Sequence, residues 1–103
     1  MHLFFDTSNV NNFYGMFSGC WALEKIPVYN TEKATNMSNM FQTNTNNLSN
    51  ESLNNIMQMC INAVSYTGTK TLKYLGITST LARKCENLSN YQAFLDAGWT
   101  TGY

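Results

Sequence analysis

The hydrophobic and polar positions in the first part of the chain repeat with a spacing of 24 residues. The segment 6–17 (DTSNVNNFYGMF) aligns with the segment 30–41 (NTEKATNMSNMF). Four aligned pairs are identical, namely Thr7 and Thr31, Asn12 and Asn36, Met16 and Met40, and Phe17 and Phe41. A repeat of this length that contains short apolar runs is typical of a stacked solenoid of the leucine-rich kind.

Two apolar runs have the L-x-x-L-x-L spacing of a leucine-rich strand. They are 23–28 (LEKIPV) and 72–77 (LKYLGI), which lie about two repeats apart. Because side chains alternate across a strand, the apolar residues would face the interior and the residues between them would face outward. We therefore expect two short, adjacent, parallel strands. One or two helical turns should pack behind them, because Val10 and Phe13 have helical spacing.

The pattern changes at Leu48, where apolar residues begin to recur at helical spacing through Val64. This stripe predicts an amphipathic helix over 48–64, with Ser49 as its N-cap. A second helix is expected with Ser89 as its N-cap, closed by Gly98. We therefore divide the chain into about two leucine-rich-type repeats in 1–47, the first of them incomplete, and a capping region in 48–103.

Composition narrows the class of protein. The 103 residues carry six Lys or Arg and six Asp or Glu, so the formal net charge is zero. A nucleic-acid-binding domain usually has a basic excess, so this balance argues against that function. The apolar runs are too short to span a bilayer, and no signal peptide is visible at the N-terminus.

Cysteine and histidine are too sparse to predict a metal site or a catalytic centre. The spacings of Cys20, Cys60 and Cys85 do not match a metal-binding motif, and His2 is the only histidine. Either the three thiols are buried and free, or Cys60 and Cys85 form a disulfide bond. The carboxylates show no paired spacing, so the sequence predicts no catalytic residue, no metal and no cofactor.

The outward face of the predicted strands is the candidate binding surface. Its members are the side chains between the apolar strand positions, together with an aromatic residue in the preceding loop: Lys25, Tyr29, Lys73, Tyr74 and Trp21. Exposed Tyr and Trp are frequent contact anchors in protein interfaces. The alternative is that Tyr74 and Trp21 only cover the edge of the core.

The first repeat and the strand after it (DTSNV…MFSGC…LEKIP) resemble the repeat of BspA-type leucine-rich surface proteins. The stretch from 48 to 103 is similar to a C-terminal end found on such arrays. The resemblance implies a right-handed β/α solenoid with short parallel strands and a helical C-terminal cap, hence the α/β class. It implies adhesion or recognition at a cell surface, in secreted form or on a virion, and no catalytic residues.

We therefore expect a non-enzymatic module that recognises a host or cell-surface protein or glycan, at the C-terminal end of a surface or phage-tail repeat protein. The alternative is a purely structural cap, or a truncated fragment, with no ligand of its own. Because the chain begins inside a repeat, upstream repeats of a longer chain are the expected partner. Four apolar residues of the incomplete first turn would then be under-packed or exposed when this chain is alone: Phe4, Val10, Phe13 and Phe17.

Overall fold

A computed structural model describes residues 6–16, 24–37, 47–64, 73 and 75–102. The regular elements of these residues are helices: α1 (Asn50–Asn62), α2 (Ser79–Cys85) and α3 (Tyr91–Asp96). Both α2 and α3 pack on α1. One buried cluster joins the side chains of all three helices to those of the segments 6–16 and 24–37, which consist of turns and irregular chain.

The predicted β/α solenoid is wrong for the residues that the structure describes, because they contain helices, turns and irregular chain but no β-strand. Of the six apolar residues expected inside the strands, Ile26, Leu75 and Ile77 are buried, whereas Val28 is 45% exposed. The other two, Leu23 and Leu72, lie outside the described residues. The helical turns expected at Val10 and Phe13 are also absent, because that segment forms turns instead.

The two aligned repeat segments share the same local conformation. The Asp6 carboxylate accepts a hydrogen bond from the Ser8 N–H, and the Asn30 side chain accepts the equivalent bond from the Glu32 N–H. Each of these Asx-turns leads into a tight turn, closed by bonds from Val10 to Thr7 and from Ala34 to Thr31. The common residues of the repeat therefore build a turn.

The two turns stack on each other in the register of the alignment. Asn12 and Asn36 form an isolated parallel β-bridge, in which the Phe13 N–H donates to the Asn36 carbonyl over 2.6 Å. The Thr7 hydroxyl donates to the Asn30 carbonyl, and the Thr35 hydroxyl donates to the Asn11 carbonyl. Residues about 24 apart are therefore in contact, but through one bridge and several side chains.

Polar side chains of α1 bond the main chain at Glu24 and Ile26, where a neighbouring strand would pair in a sheet. The Ser52 hydroxyl accepts from the Ile26 N–H and donates to the Glu24 carbonyl, over 3.0 and 3.1 Å. The Asn55 side-chain amide donates to the Ile26 carbonyl. The Glu24 carbonyl also accepts from the Ser49 N–H at the start of α1. The main-chain groups at Glu24 and Ile26 are thus bonded to α1 and its N-cap instead of to a strand, which is why the L-x-x-L-x-L spacing does not produce a sheet at these residues.

The helix predicted over 48–64 is confirmed, and it is α1. Ser49 is its N-cap, and its hydroxyl accepts from the Ser52 N–H over 3.1 Å. Glu51 lies in the first turn, where a carboxylate interacts favourably with the helix dipole. The expected stripe is buried as far as Cys60, but Val64 lies beyond the helix and is 80% exposed.

The helix α2 was not predicted from the sequence, and the start of α3 differs from the predicted one. Thr78 caps α2 by accepting from the Leu81 N–H. Ser89 does not cap α3; its hydroxyl accepts from the Asn54 side chain on α1. Asn54 also bonds both the main chain and the side chain of Asn90, so α3 begins at a polar contact with α1.

Lys73 and Leu75, two described residues of the second expected strand (72–77), pair with Thr100 near the end of the described chain. Thr100 donates through its N–H to the Lys73 carbonyl and accepts from the Leu75 N–H, each over 3.0 Å. This is the pattern of a parallel pair, but its partner is a residue that follows α3 rather than a repeat. The described residues of the two predicted strands are therefore bonded to different partners: Glu24 and Ile26 to α1, and Lys73 and Leu75 to Thr100.

Phe13 is fully buried, so the expectation that it would be under-packed in this chain is wrong. Val10 is half-buried and packs against the same core. Phe4 and Phe17 lie outside the described residues. The largest fully buried side chains of the described residues come from both the turns and the helices: Phe13, Met37, Leu48, Leu53, Ile56, Met57, Met59, Leu75, Leu81 and Phe94.

Candidate functional site

The five residues predicted to form an outward binding face do not form a common face among the described residues. Lys25 is exposed, as expected. Tyr29 is buried and Lys73 is half-buried. Trp21 and Tyr74 lie outside the described residues.

The outward placement of Tyr29 is wrong, because only 5% of this residue is exposed. The prediction assumed that side chains alternate as they do in a strand, but residues 24–30 have no regular secondary structure. The observed placements of Val28 and Tyr29 are therefore the reverse of the predicted ones: the valine is exposed and the tyrosine is buried in the core. Burial raises the pKa of the Tyr29 hydroxyl, as expected where the charged form would lose its hydration.

Lys73 has a positioning role within the fold. Its Nζ donates to the Ala97 carbonyl at the C-terminal end of α3 over 3.0 Å. A cation is stabilised at that position by the negative end of the helix dipole. Its stem also lies 3.6 Å from where a Cβ on Gly98 would be, so Lys73 packs beside the turn that ends α3.

The described residues do contain an open groove, which lies between segment 28–32 and the C-terminal end of α1. Its volume is about 490 Å³. One wall is formed by consecutive residues of the second repeat and the other by the last residues around the helix end: Val28, Tyr29, Asn30, Thr31, Glu32, Ile61, Asn62 and Val64. The groove therefore lies where the repeat segment meets the helical segment.

Two exposed aliphatic side chains mark the rim of this groove. Val64 is 80% exposed and Val28 is 45% exposed, although a protein of this size buries most of its large aliphatic residues. Tyr29 and Thr31 line the groove as buried residues. Apolar surface at the mouth of a groove is available to a partner that removes it from water.

The described lining of the groove combines neutral amide and hydroxyl groups with one carboxylate. That carboxylate belongs to the exposed residue Glu32, the one charged side chain among the described lining residues. The last turn of α1 contains no basic residue, so no side chain of that turn compensates the negative end of the helix dipole. The groove therefore combines apolar rims with negative electrostatic character.

Two polar side chains of the lining are already engaged within the fold. The Asn62 side chain accepts from the Gln58 amide, and the Asn30 side chain accepts from the Glu32 N–H. The Thr31 hydroxyl donates to the Met59 carbonyl over 2.6 Å and so ties the groove wall to α1. These bonds fix the shape of the groove.

This groove was not predicted from the sequence. Val28 was assigned to a strand interior and Val64 to the buried stripe of the helix, and both are exposed. One signal was the place of Val64 at the last position of the predicted helix. At the end of a helix an apolar side chain is no longer held against the core. The absence of Lys or Arg from the last turn of α1 was the other signal.

Cys60 and Cys85 are free thiols, so the disulfide alternative does not apply to this structure. Burial, and then the nearby Cys85, raise the pKa of the Cys60 thiol well above its usual range. Burial raises the pKa of Cys85 to about 11. Both thiols are therefore protonated at neutral pH and poorly nucleophilic, which fits small core residues.

The described residues offer neither a metal-binding cluster nor a helix that could span a membrane. They contain no group of three or more His, Cys, Asp or Glu side chains placed to hold a metal ion. None of their helices has the length and apolar content needed to cross a membrane.

One family matches the chain, described as a Mycoplasma protein of unknown function, DUF285, and the match covers residues 3–74. The match includes both aligned repeat segments and all of α1. No curated protein and no solved structure matches the chain. DUF285 is associated with BspA-like surface repeat proteins, which agrees in part with the resemblance found in the sequence. Since the match extends over well more than half of its length, the chain belongs to the DUF285 family.

Proposed function

We propose that this chain is a non-enzymatic recognition module of a repeat-containing cell-surface protein, and that it binds its ligand in the groove between segment 28–32 and the end of α1. Membership of DUF285 supports the association with surface repeat proteins. The ligand class is a protein or a glycan of a cell surface. The binding surface differs from the one expected from sequence, because Tyr29 and Lys73 serve the fold.

One observation carries this proposal: an open groove with exposed valines on both walls. A chain that only stabilises its neighbours would gain by burying Val28 and Val64, whose transfer from water is worth about 1.5–3 kcal/mol for a fully buried side chain. Both remain exposed while the surrounding residues are packed. Exposed apolar surface beside a groove is typical of a site that a partner covers.

Binding of the purified, fluorescently labelled chain to intact cells and to an array of cell-surface glycans tests the proposal. We expect saturable binding that Val28→Ser and Val64→Ser each weaken. Tyr14→Ser is the matched control, because Tyr14 is 57% exposed and does not line the groove. Equal binding by all three variants and the unaltered chain would place recognition elsewhere.

The second candidate function is structural, and α1 gives a specific reason to consider it. Ser52 and Asn55 on α1 satisfy the main chain of the repeat at residues 24–26, as a cap on a stack of repeats would. In that case the chain would bind nothing of its own. Stabilisation of a fused array by residues 48–103, without any cell or glycan binding, would favour this alternative over recognition.

A further inference from the structure

Resting on the proposed function, we infer that the occupant of the groove is an extended peptide segment of a partner protein that carries a basic side chain beside an aliphatic one. The aliphatic group would lie between Val28 and Val64. The basic group would lie against Glu32 and the C-terminal end of α1. The inference thus assigns the ligand class that the proposed function leaves open.

The charge of the groove supports a cationic partner. Glu32 is exposed, and it is the one charged residue among the described residues that line the groove. The carbonyl end of α1 adds a partial negative charge, and no basic residue in its last turn offsets it. A Lys or Arg side chain would therefore be attracted to this end of the groove, and a carboxylate would be repelled.

The main chain at the groove wall supports an extended peptide. The N–H and C=O of Ile26 are both bonded by side chains of α1. Two residues later the polar side chains of α1 no longer reach, and the main chain of Val28 makes no hydrogen bond to any other described residue. An extended peptide can bond such main-chain groups directly, as in strand addition to an open edge.

The side chains of the groove favour a peptide over a glycan. The aromatic residue of the lining, Tyr29, is 5% exposed and offers no open ring face. The side-chain oxygens of Asn30 and Asn62 already accept hydrogen bonds from within the chain. Exposed aliphatic groups remain, and they suit the aliphatic side chain of a peptide.

The test is a titration of the full-length, isotope-labelled chain with three probes, followed by amide chemical shifts. The probes are the blocked peptide Val-Lys-Val-Arg-Val, its acidic counterpart Val-Glu-Val-Glu-Val, and a neutral trisaccharide of N-acetylglucosamine. We expect saturable shifts at residues 28–32 and 61–64 with the basic peptide. Glu32→Lys should weaken that binding roughly tenfold or more, since it replaces attraction by repulsion.

Val64→Ser should weaken the binding of the basic peptide through loss of apolar contact. The matched controls are Glu86→Lys and Tyr14→Ser, which change an exposed charge and an exposed apolar group outside the groove and should leave the affinity unchanged. Circular dichroism verifies that each variant is folded.

Three results would overturn the inference: equal shifts with the acidic peptide, no groove shifts with either peptide, or loss of binding in the control variants as well. Groove shifts with the trisaccharide alone would also overturn it while leaving the proposed recognition function in place. Loss of all cell and glycan binding, measured separately, is the result that would count against recognition itself.

Discussion

The described repeat segments, 6–16 and 24–37, and the helical segment, 47–64 with 75–102, use the same residue types in different ways. In the repeat segments, Asp and Asn side chains close turns, and threonine hydroxyls bond the main chain about 24 residues away. In the helical segment, serine and asparagine cap α1 or join it to its neighbours. An Asn- and Thr-rich sequence thus builds the first region by stacking turns and the second by local helical bonds.

The repeat segments depend on the helical segment for part of their main-chain hydrogen bonding. Segment 24–37 has few local hydrogen bonds and relies on α1 for the pairing of its main chain at Glu24 and Ile26. The 13-residue helix α1, by contrast, satisfies most of its backbone groups within itself. Mutations that destabilise the helical segment should therefore also destabilise the repeat segments. Unfolding experiments on such variants can show whether the two regions unfold together.

The largest expected effects come from the buried phenylalanines, one in each region. Phe13→Ala and Phe94→Ala should each lower the free energy of unfolding by about 3–5 kcal/mol, since both side chains are fully buried. If the regions unfold as one unit, each variant shows a single cooperative transition by circular dichroism and by aromatic fluorescence. Two separate transitions in either variant would show that the regions are independent.

Ser52→Ala should reduce stability by about 1–3 kcal/mol, because it leaves the buried Ile26 N–H without its partner and removes the bond to the Glu24 carbonyl. Urea unfolding measures the change. Ser79→Ala is the control, since Ser79 is an exposed residue at the start of α2 and its loss should have little effect. Equal stability of the two variants would show that the Ser52 contacts are unimportant.

The sequence predicts α1 well because its signals are local. Ser49 as N-cap and the apolar stripe through Cys60 require no knowledge of the rest of the fold. The repeat spacing likewise appears in the pairing of Asn12 with Asn36. The absence of strands was not predictable in this way, because it depends on Ser52 and Asn55 reaching a segment 26 and 29 residues earlier in the chain.

The candidate site was harder to predict than the helix. Lys25 is exposed as expected, whereas Tyr29 is buried because its segment does not alternate as a strand does. The groove is formed by residues that are distant in sequence, and its exposed valines look like core residues in any pattern of apolar positions. Only the tertiary arrangement shows that Val28 and Val64 lie on the same groove.

The alkaline limit of stability should be set partly by the helical segment. Cys85 has a pKa of about 11 in the folded chain against an ordinary value of 9.0, so its protonated form is favoured by folding. Its contribution, on the order of 2 kcal/mol, is present below pH 9 and is lost as the pH rises towards 11. Urea unfolding from pH 8 to 11 should show a smaller loss in Cys85→Ala than in the unaltered chain.

Tyr29, in the repeat segments, should also lower stability as the pH rises, because burial raises the pKa of its hydroxyl. Burial raises the pKa of the Cys60 thiol as well, so Cys85→Ala should leave a residual loss of stability at high pH. An identical pH profile for Cys85→Ala and the unaltered chain would contradict the role given to the thiol.

The smallest expected effects compare the two equivalent threonines. Thr31→Val removes a buried bond to the Met59 carbonyl of α1, and Thr7→Val removes the bond to the Asn30 carbonyl of the next repeat segment. Each should lower stability by about 1 kcal/mol, the usual net value of such a bond. Urea unfolding that shows no loss in Thr31→Val would separate the repeat from α1 and weaken the claim that one depends on the other.

The pairing of the repeat with side chains of α1 is tested most directly by native-state hydrogen exchange at Ile26. We predict that the Ile26 amide is protected, that the Val28 amide exchanges rapidly, and that Ser52→Ala selectively removes the protection of Ile26. Equal protection of the two amides that survives Ser52→Ala would show that a strand ladder holds this segment, and would contradict the account.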